Sequence, residues 1–285
     1  MTILCEKAYA KLNLTLDVLG KREDGFHNLK SVMQTVSLYD GIEMELGTGE
    51  NWKLICSRED IPCDQRNLAW KAAKLYCDTL GKDPNGLTIR IEKNIPSGAG
   101  MAGGSADAAA VLRILNRFYG NPLTLEELAA MSGTIGSDIP FCVLGGTVMC
   151  EGRGEVMRRL PDCPQCVIVG CKPGFSVSTP VLFRKIDSVE IMAHPDNDAM
   201  ERALAAGDLD SIAREIYNVF DPVVSGDHPE IGHIKAICHS HGAMAAQMTG
   251  SGSVVFAVMP DPESAERAKT ELEQTYSQVF VVKPV

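Results

Sequence analysis

The sequence predicts an α+β protein of two domains. Three observations carry that expectation. The chain has 285 residues, and at roughly 150 residues per domain it is long enough for about two. Apolar residues make up 45% of it and charged residues 22%, so it should bury a sizeable core and is neither disordered nor a coiled coil. Its C-terminal part reads strand, helix, strand, strand, helix, strand once helical insertions are set aside. That is the ferredoxin-like order, in which helices cover one face of an antiparallel sheet.

Taken in order, Ala8, Ala10, Leu12, Leu14 and Leu16 alternate with polar residues as an early strand, with Lys11 and Asn13 on its opposite face. A second extended run covers 32–38, and the glycine-bracketed polar segment 20–27 joins the two. Leu68, Ala72 and Leu75 give 67–77 helical spacing, and 87–91 alternates as a strand. Ala108, Val111, Leu112 and Leu115 trace one helical face, and Thr124 with Glu127 forms a capping box for the next helix. After Pro161 and Pro164 an apolar strand spans 166–171, so the domain boundary is expected near residue 155, giving 1–155 and 156–285. Helices follow to about Ile216. Pro229 should open a helix that Gly242 closes. Strands at 243–248 and 253–259, a helix at 262–274 capped by Asp261 and a strand at 278–283 complete the chain.

Composition excludes several classes. With 27 Lys plus Arg against 37 Asp plus Glu the net charge is −10, which argues against a nucleic-acid partner. No stretch approaches the roughly 18 apolar residues of a membrane span, and Glu6, Lys7 and Lys11 interrupt any secretory core. A cytoplasmic location without membrane attachment is expected. Most of the ten cysteines lie in apolar runs, as buried thiols do. Cys163 and Cys166 have CxxC spacing, which suits zinc or redox chemistry, but no second pair matches it; a loop leading into a buried strand accounts for the same residues.

The strongest single signal is the loop Pro96, Ser97, Gly98, Ala99, Gly100, Met101, Ala102, Gly103, Gly104, Ser105, Ala106. Four glycines within 98–104 leave backbone N–H groups uncovered, and the helix that follows aims its positive end at whatever binds there. Phosphate fits that arrangement. Gly98, Gly100 and Gly103 also satisfy G-x-G-x-x-G, the dinucleotide fingerprint. Against that reading, Asn94, Ile95 and Pro96 separate strand from loop, and Phe118, Tyr119 and Gly120 stand where a ribose-binding acid belongs. No Lys-Ser or Lys-Thr follows the last glycine, so Walker A fails too. A second cluster, Gly250, Ser251 and Gly252, fits either a hairpin turn or a further backbone cradle against the substrate.

Ala10-Lys-Leu-Asn-Leu, the central glycine loop with its Gly-Gly-Ser, and the late Gly-Ser-Gly before an apolar strand together resemble the three motifs of the GHMP kinase superfamily. Gly25-Phe-His-Asn-Leu, 103–109 and Gly136-Ser-Asp-Ile-Pro-Phe are similar to the branch whose acceptor is a cytidine diphosphate ester of methylerythritol. The resemblance covers nearly the whole chain. It implies a two-domain GHMP kinase fold with a mixed α/β ATP-binding N-terminal domain and a ferredoxin-like C-terminal domain. It also implies ATP and Mg2+ as cofactors, and phosphoryl transfer to the C2 hydroxyl of that small molecule, in the non-mevalonate isoprenoid route.

Carried onto this chain, the family's catalytic pair falls on Lys11 and Asp138. Such a pair makes chemical sense, because a hydroxyl attacking phosphorus must shed a proton and a carboxylate is the usual acceptor. A free Asp titrates near ~3.9 and an alcohol near ~16, so full deprotonation before attack would cost roughly 16 kcal/mol, and the proton should leave late. Lys11 would polarise the hydroxyl and offset charge on the transferred group. At the cytidine end the resemblance implies His27 reading the base between Phe26, Met33 and Phe183, with Phe26 where a tyrosine is commoner and Met33 where an aromatic is. Asn13 and Thr179 match residues touching the erythritol part, and Lys93 and Asn67 match positions around the nucleoside. Met101, Ala102, Ala106, Ser253 and Val254 depart from the family pattern but keep their backbone N–H groups, and Ser105 is left as the hydroxyl near the phosphates or Mg2+. Asp107 suits the helix dipole or the metal. A kinase for another hydroxyl acceptor, or a non-catalytic nucleotide-binding protein, are the rival readings; the retained Lys11 and Asp138 argue against the second. Nothing in the chain sets an oligomeric state.

Overall fold

The computed structural model describes residues 1–49 and 51–285. In chain order the strands are β1 Thr2–Asn13, β2 Thr15–Lys21, β3 His27–Leu46, β4 Lys53–Cys56, β5 Leu87–Glu92, β6 Thr147–Gly152, β7 Val156–Arg159, β8 Val167–Lys172, β9 Tyr217–Asn218, β10 Ala245–Met248, β11 Val255–Met259 and β12 Gln278–Val282. The helices are α1 Leu68–Leu80, α2 Gly103–Phe118, α3 Leu125–Ser132, α4 Ile139–Leu144, α5 Thr179–Ile186, α6 Asn197–Ala206, α7 Leu209–Glu215, α8 Asp221–Asp227, α9 Glu230–Ser240 and α10 Pro262–Leu272. Among the described residues no helix is long and apolar enough to cross a membrane.

The chain divides into two compact units that interleave along the sequence. Unit one takes Met1–Ala10, Leu38–Ile95 and Ala102–Gly145; unit two takes Lys11–Ser37, Pro96–Met101 and Gly146–Val285. The segment 156–285 thus lies wholly in unit two, while β1 changes unit after Ala10 and β3 after Ser37.

In unit one the second half of β3 pairs antiparallel with β5, from Gly41 opposite Glu92 to Leu46 opposite Leu87, and β4 joins β5 in parallel. Helix α1 begins at Asn67, whose side chain accepts the Ala69 N–H, and ends at left-handed Gly81. It runs one turn beyond the expected end. Its buried stripe is Ala69, Ala72, Ala73, Tyr76 and Cys77, mostly small residues that let α1 pack closely along the alanine-rich α2. The expected capping box opens α3, with the Thr124 hydroxyl accepting from the Glu127 N–H and the Glu127 carboxylate accepting from the Thr124 N–H.

Unit two contains the expected ferredoxin-like module. Its sheet order is β10-β11-β8-β12, antiparallel throughout, and the connection runs β8, α9, β10, β11, α10, β12 with α5 to α8 and the short β9 inserted after β8. Val169, Cys171, Val255, Ala257 and Met259 on the sheet bury one apolar face together with Ile231 and Ile234 of α9 and Ala265, Ala268 and Leu272 of α10. Asp261 caps α10 by accepting the Ser264 N–H. Gly170 is a glycine because Phe280 opposite lies across it: a Cβ there would stand 2.1 Å from that ring. The rest of unit two is β2 paired with the first half of β3, β3 with β6, β6 with β7, and β2 with β9. Of the polar connection 20–27, only Arg22 to Phe26 form the turn joining β2 to β3, while Gly20 and Lys21 pair with Asn28 and His27 across the two strands.

Candidate active site

Three of the motif segments meet inside unit two. Lys11, at the end of β1, is 3% exposed, and its ammonium donates to Asn13 Oδ1 at 2.6 Å. Its backbone N–H donates to the carbonyl of Met101 in the central loop at 3.2 Å. Asn13 binds in two further directions: its amide donates to Ser31 Oγ at 2.8 Å, and its backbone N–H donates to Thr249 Oγ1 at 2.9 Å. Thr249 opens the late glycine cluster. That cluster turns β10 into β11, so it is the hairpin its composition allows, and it also packs on the central loop. Val254 N–H donates to the Ala99 carbonyl at 3.2 Å. Gly100 and Gly250 both have positive φ, 74° and 58°. A Cβ on Gly100 would sit 2.2 Å from the Thr249 carbonyl oxygen, and one on Gly250 would sit 2.7 Å from the Gly100 oxygen and 3.2 Å from Lys11 Nζ. Backbone meets backbone there because both residues lack side chains. Asn218, fully buried, holds the turn by donating to the carbonyls of Met248 and Gly250 at 2.7 and 2.8 Å.

Other unit-two residues surround the β2 to β3 turn. His27 is buried, its Nε2 lies 2.6 Å from Asp187 Oδ1, and its ring stacks on Phe183 with centroids 4.8 Å apart. Lys21 holds the other Asp187 oxygen at 2.6 Å, and Lys21 and His27 together draw the Asp187 carboxyl below its ordinary range. Phe183 also meets Phe220 edge-on at 5.0 Å. Phe26 is half-exposed under the Arg153 guanidinium, 3.8 Å from its ring centre. Met33 is buried opposite Val148 in the β3 to β6 pairing. Thr179 begins α5 and shares a hydrogen bond of 2.7 Å with Ser251. Gly98 lies against Ser176, where a Cβ would approach Oγ to 2.8 Å. Cys163 and Cys166 are buried free thiols, Cys163 raised by its hydrogen bond to Cys166 and by burial.

In unit one, α2 opens on Ala102 in the left-handed region, φ 59°, with no side-chain cap. Its first-turn N–H groups, those of Gly103, Gly104 and Ser105, are therefore not claimed by a capping side chain. Asp138 stands half-buried at the entrance of α4 and does not cap it. Asn67 and Lys93, expected around the nucleoside, have their polar side-chain atoms committed within the protein. Asn67 caps α1 and donates to the Pro62 carbonyl. Lys93 lies between Asp40 and Asp107.

Asp107 is a buried carboxyl with one oxygen 2.7 Å from Lys93 and the other without a hydrogen-bond partner. Burial is the main cause that raises its pKa; Lys93 opposes this and Asp40 adds to it, and the Asp107 charge in turn acts on the Cys56 thiol of β4. Because the folded chain holds this proton to higher pH than the unfolded one, Asp107 makes stability fall as pH rises from the ordinary 3.8 toward neutrality. Asp107→Asn should remove that slope. The urea midpoint of the Asp107→Asn variant should gain on that of the parent between about pH 5 and about pH 8; parallel curves would refute the protonation.

Sequence reasoning passed over Asp40, Asp187 and Asn218. Asp40 carries a readable signal, an acid inside the apolar strand segment Val36 to Met44. Asp187 and Asn218 carry none, since their partners are far away in sequence.

A glycine-built backbone junction beside a buried lysine is compatible with phosphate handling. Two family models match the chain: the GHMP kinases N terminal domain over residues 67–146 and the GHMP kinases C terminal domain over 200–278. The chain belongs to the GHMP kinases and is an ATP-dependent small-molecule kinase. A relative from Caldicellulosiruptor saccharolyticus, a 4-diphosphocytidyl-2-C-methyl-D-erythritol kinase, is 41% identical over 96% of this chain and 94% of its own length. One of the same name from Clostridium perfringens is 41% identical over 98% and 97%. The crystal structure of a 4-(cytidine 5'-diphospho)-2C-methyl-D-erythritol kinase superposes with a TM-score of 0.82 at 31% identity, covering 99% of both chains.

Proposed function

We propose that the chain transfers the γ-phosphoryl group of ATP to the C2 hydroxyl of 4-diphosphocytidyl-2-C-methyl-D-erythritol, in the non-mevalonate route to isoprenoid precursors. Likeness over nearly the full length to kinases of that name supports the acceptor. The observation that carries the chemistry is the contact of Gly100 and Gly250 beside Lys11. In this reading backbone N–H groups within 97–105 cradle the triphosphate, with Gly250, Ser251 and Gly252 as a second backbone cradle against the substrate. Asp138 accepts the proton of the attacking hydroxyl, and Lys11 offsets the charge on the transferred group. Mg2+ would arrive with the triphosphate and spread its charge, and because such ions take few protein ligands the Ser105 hydroxyl suffices as the chain's donor. Among the described residues no three His, Cys, Asp or Glu side chains are grouped to hold a metal.

The cytidine end follows from His27. Its Nε2–H is donated to the Asp187 carboxylate, so a neutral imidazole offers Nδ1 as an acceptor. Cytosine carries an exocyclic amino donor and uracil a carbonyl, so the ring selects cytosine. Phe26, Met33 and Phe183 supply apolar cover for the base, and Asn13 and Thr179 serve the erythritol part. ADP release measured against a panel of the cytidylyl ester, mevalonate and homoserine should show turnover with the ester alone. CDP should raise the melting temperature more than UDP. Turnover with another acceptor in the panel, and none with the ester, would overturn the assignment.

A further inference from the structure

Asp40, Lys93 and Asp107 form a buried triad within unit one to which the proposed function gives no part. Their side chains are 0, 4 and 3% exposed. Two carboxyl groups and one ammonium taken out of water are a poor way to gain stability, because desolvation rivals the Coulomb gain. What the triad joins is more informative. Asp40 Oδ1 accepts the N–H groups of Asn94 and Ile95, at 2.6 and 2.8 Å, where the chain leaves β5. Lys93 donates to Asp40 and, at 2.7 Å, to Asp107 in the second turn of α2. Between Ile95 and Gly103 lies only 96–102, so both stems of the glycine loop are tied to one ammonium.

The seating of α2 is equally close. A Cβ on Gly103 would stand 3.1 Å from the Ile95 side chain and 3.4 Å from Lys93 Nζ, so the glycine lets the helix entrance rest against the lysine head. The second oxygen of Asp107 has no hydrogen-bond partner, and Lys93 holds the first. We propose that Lys93 is the positioning residue of the phosphate loop, fixing the exit of β5 and the first turns of α2 in the arrangement that aims the helix N–H groups at a triphosphate. This rests on the reading of 96–106 as the ATP site. Lys93 acts through Asp40, which accepts the Asn94 and Ile95 N–H groups, and through Asp107 of α2, and touches no substrate in this role.

Steady-state kinetics of the full chain test it. Lys93→Met should raise the KM for ATP about tenfold or more, while the KM for the cytidylyl acceptor stays within about twofold, since misplacing a binding group by about 1 Å is that costly. Lys93→Arg, which keeps the charge, should recover much of the loss. The double variant Lys93→Met with Asp107→Asn decides the matter where the single one is too unstable, because it relieves two facing carboxylates. A purely structural role would lower the melting temperature and the active fraction without moving either KM. An unchanged ATP KM in a folded variant overturns the proposal alone, whereas absence of acceptor-dependent ADP release by the unaltered chain rejects the ATP-site reading with it.

Discussion

Asp138→Asn should lower kcat by about 10²- to 10⁴-fold, the range over which a positioned general base contributes, and leave ATP affinity within about twofold. The substitution is close to isosteric and removes the charge and the proton-accepting power together. Helix α4 should survive it, because the Asp138 side chain does not cap that helix and the Pro140 ring presets its first turn. The loss should therefore appear in the chemical step, not in the fold. Single-turnover ADP release reads the step directly, and titration with ATP in the absence of acceptor reads the binding. If Lys11 and Asp138 work as one unit, Lys11→Met combined with Asp138→Asn should cost hardly more than the worse single change, because groups that act together are strongly non-additive. Residual turnover above about a tenth of the parent rate would reject Asp138 as the base, since it would leave the hydroxyl an adequate proton acceptor elsewhere.

The elements governed by local chemistry were legible from residues alone. Asp261 before Pro262, Thr124 with Glu127, and Gly242 after α9 all mark helix ends, and each does so through contacts within a few residues. The ferredoxin-like module was legible for the same reason, as its strands are short, apolar and separated by turn residues. What escaped depends on partners far apart in sequence. The β6 to β7 hairpin was missed because glycines at 145, 146, 152 and 154 interrupt a short run that becomes a strand only through β3. The stripe of α1 was misread because Leu68 and Leu75 look like core, while the close approach of α2 selects Ala69, Ala72 and Ala73. Interleaving of the two units was invisible, since Lys11–Ser37 and Pro96–Met101 carry no punctuation that assigns them to the later part of the chain. In the site, the glycines and Lys11 were readable as motifs, but the residues that hold them were not. Asn218 looks like any polar residue after a helix, yet it satisfies two carbonyls of the late turn. Asp187 lies 160 positions from the histidine it binds.

Gly100→Ala should be the most damaging single methyl that can be added to the central loop. At φ 74° an alanine is strained by about 1–2 kcal/mol relative to glycine. The new methyl would also meet the Thr249 carbonyl oxygen at 2.2 Å and the Gly252 nitrogen at 3.0 Å, and both are backbone atoms with no flexible end to yield. Thr249 cannot retreat cheaply, because its hydroxyl receives the Asn13 N–H and its neighbours' carbonyls are held by Asn218. Relief must come from moving the central loop, whose Met101 carbonyl receives the Lys11 N–H. The KM for ATP should accordingly rise by about 10- to 100-fold at temperatures where the variant is folded, and the melting temperature should drop. Gly232→Ala is the matched control: it lies inside α9 with nothing within 4 Å of the added carbon, and alanine there should stabilise by about 0.5–1 kcal/mol without touching either KM. A folded Gly100→Ala protein with the parent's ATP KM would mean that the close approach of the two glycine loops serves packing alone, and the phosphate cradle would have to be sought elsewhere in the chain.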